Sequence, residues 1–197
     1  MSKSLIITLM LLLSGCSVKP TEKVNYYLLN SVPAESHNIA RKTGEHVIAV
    51  AEIRLADYLK QTNLTMQLQT HQLYFSKNHF WAESLQTGIQ KALISDLNAG
   101  TDSASFVDAS SEAAIRPTSK INISVDHFVT THDSKVVMSG QFWFKQSGAD
   151  NTSQLQHFHY TADLQQDGFP HAVFKLRELL KRLSDDILVK ANQLGSS

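Results

Sequence analysis

The chain has 197 residues, 42% of them apolar and 18% charged, enough to bury a core and too apolar for disorder. Its 18 basic and 18 acidic residues cancel, and no basic stripe marks an electrostatic nucleic-acid binder. The single cysteine, Cys16, excludes an internal disulfide and a cysteine-built metal site.

In chain order, Lys3 precedes an apolar run from Leu5 to Leu13, interrupted by Thr8. Crossing a bilayer takes about 20 apolar residues, so this run is the core of a signal peptide and no anchor helix. The small pair Ser14 and Gly15 then meets Cys16 directly, in the order Leu13-Ser14-Gly15-Cys16. That arrangement resembles the lipobox of bacterial lipoproteins. The resemblance implies cleavage after residue 15, with diacylglyceryl and acyl chains (palmitate among them) on Cys16. Each buried methylene contributes about 0.8 kcal/mol, so several chains hold the protein durably to a leaflet. The expected organisation is a signal peptide over 1–15, a lipidated tether over 16–23 and one domain over 24–197. Ser17 follows the cysteine. In enteric-type lipoproteins aspartate there retains the protein in the inner membrane, and serine is compatible with the outer one. The periplasmic face of the outer membrane is therefore the expected location.

Residues 24–30 (VNYYLLN) are rich in β-formers and predict a first strand, with Tyr26 and Tyr27 on opposite faces. A loop over 31–45 leads to 46–54, apolar on both alternations, as a strand covered on both sides would be. Residues 55–59 break that pattern. Leu64, Met66 and Leu68 alternate with polar residues, and Leu73-Tyr74-Phe75 returns as a short partner with the turn near His71. Leu85, Ile89, Ala92, Leu93 and Leu97 lie on one face of a helix that Asn98 and Gly100 would stop. Glu83 is expected in the first helical turn, where the macrodipole favours it.

Residues 103–107 predict a short strand, followed by a polar loop through Pro117. Ile121, Ile123 and Val125 alternate strictly, but the next apolar residue is Phe128, so a bulge is expected near His127. Residues 136–144 and 155–162 complete a meander, with a turn at 148–151. Phe169-Pro170 opens a long helix with Val173, Leu176, Leu180, Leu183, Ile187 and Ala191 on its buried stripe. This order implies the α+β class: a single domain, an antiparallel-rich sheet with two main helices packed on it.

Three sequence words occur in order: YYLL after the tether, IRLADYL at 53–59, and FWAESL at 80–85, the last opening the helix after two strands. Their order and spacing resemble the PqiC/YmbA group of transport-auxiliary lipoproteins, from the lipobox through the C-terminal helix. Phe80 stands where that group commonly has a basic residue, and Ser84 where it has proline. The resemblance implies a non-enzymatic accessory of an envelope transport system for lipids or other hydrophobic molecules. It also implies a periplasm-spanning MCE-domain partner and self-association into a ring. Tyr74, Phe80 and Trp81 are the candidate interface residues, with monomer-core packing as the competing account, the favoured one for Trp81.

The enzymatic alternative rests on His157 and His159, two apart on a strand and hence on one face, a possible metal-ligand pair. His127, His132, Asp126 and Asp133 are nearby candidates. Phe158 and Tyr160 are the expected core-facing alternates, which leaves both histidines on the solvated side. No nucleophile elbow or phosphate loop is present, and no cofactor is expected.

Overall fold

The computed structural model describes residues 23–30, 46–114, 116–146 and 154–195. The signal peptide, Cys16, Ser17, the 31–45 loop and the 148–151 turn lie outside the described residues. The strands are β1 (Asn25–Tyr27), β2 (Val47–Val50), β3 (Arg54–Leu55), β4 (Asn63–Gln69) and β5 (Gln72–Trp81). They continue as β6 (Ser105–Asp108), β7 (Ser119–Thr131), β8 (Lys135–Gln146) and β9 (Gln156–Asp163). The two main helices are α1 (Leu85–Ala99) and α2 (Phe169–Gly195). The fold is the α+β domain expected.

β7 is the spine of the sheet. One edge pairs antiparallel with β8 along its length, and β8 pairs antiparallel with β9. The other edge is shared: β2 at residues 119–121, β3 at 124–125 and β4 at 130–131, all parallel to β7. β2 carries β6, and β4 carries β5 and then β1. The long pairs are antiparallel, and the short parallel ones make the sheet mixed. The single run expected over 46–54 is broken into β2 and β3, although Ala51 and Ile53 between them stay buried.

The bulge falls where Phe128 interrupts the alternation. Val125 faces Gly140 and His127 faces Ser139, so Asp126 is the extra residue. The bulge lets Phe128 rejoin the core beside Ile121, Ile123 and Val125. A Cβ on Gly140 would stand 2.0 Å from the Ser124 carbonyl oxygen, so only glycine allows β7 and β8 to approach this closely.

Both helices pack on one sheet face through Ile89, Leu93 and Leu97 of α1 and Leu176, Leu180 and Leu183 of α2. Ser84 caps α1 by accepting the Thr87 N–H, 3.1 Å. Glu83 therefore precedes the cap instead of lying in the first turn, and pairs with Lys91 at 2.6 Å. Asn98 does more than stop the helix. Its amide nitrogen donates to the Phe106 carbonyl at 2.8 Å, and its oxygen accepts the Phe106 N–H at 2.9 Å. One side chain thus pairs with the β6 backbone as a strand would, and blunts an edge.

Candidate functional site

The region expected to carry function, Leu73 to Trp81, is one long strand and not a short strand followed by a connection. β5 spans 72–81 because different neighbours hold its two ends. β4 runs antiparallel to it, and β1 lies parallel with Asn25 opposite His79, Tyr26 opposite Phe80 and Tyr27 opposite Trp81. Between Thr65↔Phe75 and Asn63↔Phe80, β5 uses five residues where β4 uses two. The surplus is taken up around Ser76, whose hydroxyl accepts the backbone N–H groups of Asn78 (3.3 Å) and His79 (3.1 Å). Its carbonyl accepts from the Asn63 amide at 2.8 Å.

The three expected interface residues meet different fates. Trp81 is 7% exposed and belongs to the core, with its ring 6.2 Å from Phe128. It offers little surface in the monomer, because β1 pairs alongside it with Tyr27 opposite and its ring joins the core cluster. Phe80 is half-buried, its ring 5.8 Å from that of Tyr26. Tyr74 is exposed, with Leu73 and Phe75 on either side of it. Sequence reasoning missed how far the exposure extends: Val24, Tyr26 and Leu28 on and beside β1 are also exposed. The alternation of 24, 26 and 28 held that signal, since only one face of an edge strand can reach the core.

Inside this edge, the Tyr27 hydroxyl lies 2.7 Å from His79 Nδ1, and the His79 ring lies 4.4 Å from Phe169 at the start of α2. Burial pushes the Tyr27 phenol above its ordinary value. The cluster ties β1, β5 and α2 together and is a structural joint.

The histidine face is assembled across three strands. His159 stands opposite Ser139, and Ser139 opposite His127, whose Nδ1 is 3.0 Å from the serine hydroxyl. His157 faces Gln141. Both β9 histidines are exposed, Phe158 is buried and Tyr160 half-buried. The Tyr160 hydroxyl donates to Asp186 at 2.5 Å, and burial with that carboxylate raises its pKa. On the same stretch Tyr58 donates to the Asp126 carbonyl at 2.9 Å, and burial pushes it up to about 12. Among the described residues no three His, Cys, Asp or Glu side chains gather closely enough to hold a metal ion.

A cleft of about 660 Å³ opens between the last turns of α2 and the sheet, with Ile48, Ala104, Phe144, Ala191 and Leu194 as its apolar lining. Nowhere among the described residues is a helix long and apolar enough to cross a membrane.

The family model of the ABC-type transport auxiliary lipoprotein component matches residues 26–188. This chain belongs to that family. The match takes in YYLL, IRLADYL and FWAESL together, so the resemblance read from those words holds. Intermembrane transport lipoprotein PqiC of Escherichia coli is 27% identical over 148 residues, which is 75% of this chain and 76% of that protein. The protein of that name from Shigella flexneri matches equally. Among solved structures, an uncharacterized protein superposes with a TM-score of 0.73 at 20% identity, covering 86% of this chain and 99% of that one. A Xanthomonas campestris protein gives 0.65 at 12% identity, covering 90% and 98%. Those two likenesses confirm the fold of this family member, with its two helices on a mixed sheet.

Proposed function

We propose that this auxiliary lipoprotein is a non-enzymatic component of an intermembrane transport system that moves lipids or other hydrophobic molecules. Acyl chains on Cys16 hold it to the periplasmic face of the outer membrane, with Ser17 permitting export there. The folded domain docks on the end of an MCE-domain protein that spans the periplasm. Copies associate in a ring that caps this tubular partner. The observation that carries the reading is the likeness to PqiC over three quarters of both chains. Residues 1–15 are removed in this account, and residues 16–23 tether the domain.

The test is affinity purification of the full chain from mildly solubilised envelopes. An MCE-domain protein co-purifying in fixed ratio is the expected result. Recovery of the lipoprotein with no such protein, under conditions that preserve other envelope complexes, would overturn the docking role. Stoichiometric zinc on the purified protein, lost on replacing His157 and His159, would instead favour catalysis or metal binding.

A further inference from the structure

The geometry points to the β4–β5 hairpin as a second membrane contact: its tip inserts among the lipids of the leaflet that holds the Cys16 acyl chains. This rests on the lipid anchor proposed above and adds a surface of the folded domain to it.

Three observations carry the inference. First, nine large apolar side chains are exposed among the described residues, and six of them lie on or beside the neighbouring strands β1 and β5. Leu73, Tyr74 and Phe75, next to the hairpin turn, are each more than a third exposed. Second, the sixteen residues from Gln61 to Ser76 contain no Asp, Glu, Lys or Arg, in a chain that is 18% charged. Exposed strand edges are ordinarily guarded by charge. A hairpin without charge enters an apolar medium without desolvating an ion, and tyrosine suits the membrane–water boundary.

Third, the described residues that follow the tether run the right way. β1 is parallel to β5, with Asn25 opposite His79. Val24 and Lys23, leading back from Asn25, therefore head toward the hairpin-turn end of β5. Cys16 lies nine residues before Asn25, and His71 at the turn lies eight residues before His79. At up to about 3.3 Å per residue the nine-residue tether reaches as far as roughly 30 Å. The surplus taken up around Ser76 keeps His71 nearer to His79 than eight extended residues would, so the tether is long enough for the acylated residue to lie level with the turn. Exposed Lys23 and Lys77 stand two residues back from that register point, behind the uncharged tip. They would form a basic collar at headgroup depth, where lysine stems snorkel and anionic lipid attracts them.

Because Cys16 is the only cysteine and its thiol is acylated, an introduced cysteine carries the one reactive thiol of the full chain. Acylated protein with Gln72→Cys, labelled with an environment-sensitive fluorophore, is placed in phosphatidylethanolamine–phosphatidylglycerol vesicles containing brominated acyl chains. The expected result is flotation with the vesicles, a blue shift and bromine quenching at position 72. The same probe at His157→Cys should show neither spectral change. Adding Leu73→Ser and Phe75→Ser should abolish most quenching at 72 without changing flotation or the unfolding temperature. Flotation with an unquenched probe overturns this proposal alone. So does an unquenched probe that cross-links efficiently to position 72 or another site of a second copy, which would make the hairpin a contact between copies. Failure to float overturns the lipid anchor itself, and this proposal with it.

Discussion

Arg177 of α2 grips Asp96 of α1 with two bonds, Nη1 to Oδ2 and Nη2 to Oδ1, each 2.6 Å. Asp96 is 11% exposed at its side chain and Arg177 28%, so the pair is largely withdrawn from water where the two helices meet. The planar guanidinium matches the carboxylate fork and fixes the helices relative to each other.

Arg177→Met keeps much of the packing volume but leaves the Asp96 carboxylate buried without its partner. The expected loss is about 2–4 kcal/mol, below the full range for a wholly buried pair because Arg177 retains some solvent. Asp96→Asn should cost less, since its amide oxygen still accepts one bond. Urea unfolding of the two variants measures the order, and equal stability would show that the fork contributes nothing beyond packing.

Gly140→Ala brings a methyl into the Ser124 carbonyl oxygen at 2.0 Å and Phe158 Cζ at 2.9 Å. The backbone carbonyl cannot swing away as a flexible side chain would. A loss of about 3 kcal/mol or more is expected, at the upper end for overpacked cores. Amide hydrogen exchange should rise along β7, β8 and β9 before it rises in α1.

Trp81 and Phe80 are adjacent but should behave differently. Trp81→Ala empties core volume beside Phe128 and is expected to cost about 3–5 kcal/mol. Phe80→Ala removes a half-buried ring under Tyr26 and should cost about 1–2 kcal/mol, mostly by loosening β1. Thermal unfolding of the two variants compares them. A Trp81 variant as stable as the parent would remove that residue from the core.

Asp108 accepts from the Ser110 hydroxyl (2.6 Å) and Ser110 N–H (2.7 Å) on one oxygen and from Gln90 (2.7 Å) on the other. Those bonds, the Ser110 hydroxyl first, hold its pKa below the ordinary 3.8. The folded state thus favours the ionised form. This stabilisation is complete above the unfolded-state value and is lost as pH falls from there through the lowered folded value. In unfolding measurements between neutral pH and pH 3, Asp108→Asn should flatten the acid limb. An unchanged slope would show that Asp108 does not link folding to pH.

The anchor is tested separately from the fold. Cys16→Ser should block fatty-acid labelling and leave an uncleaved or misprocessed precursor. Ser17→Asp should move acylated protein toward the inner membrane in density fractionation. An unlabelled wild-type chain would refute the lipoprotein reading. Identical fractionation of the parent and the Ser17→Asp variant would remove the sorting role of that position.

Much was legible from one-dimensional pattern. Alternation in 121–125, helical spacing in 85–97 and 173–187, and the broken rhythm before Phe128 each report a neighbour on one side of a short segment. The alternation in 64–68 predicts a strand but not its burial, since Leu64 and Thr65 are both buried while Met66, Gln67 and Leu68 are all half-buried. The family words were legible for the same reason, being contiguous runs. Distant partners were not. β1 lies parallel to β5 through a register linking Asn25 to His79, and nothing local in either segment specifies that pairing. With it Tyr27 comes to lie opposite Trp81, and Lys23 and Val24 come to head toward the hairpin end of β5. Arg177 reads as a surface residue by helical spacing, yet its long side chain reaches back to Asp96. Periodicity records which face a residue occupies. Only the packed helices and sheet decide what that face meets, because the free energy of burial and pairing depends on residues far apart in the chain.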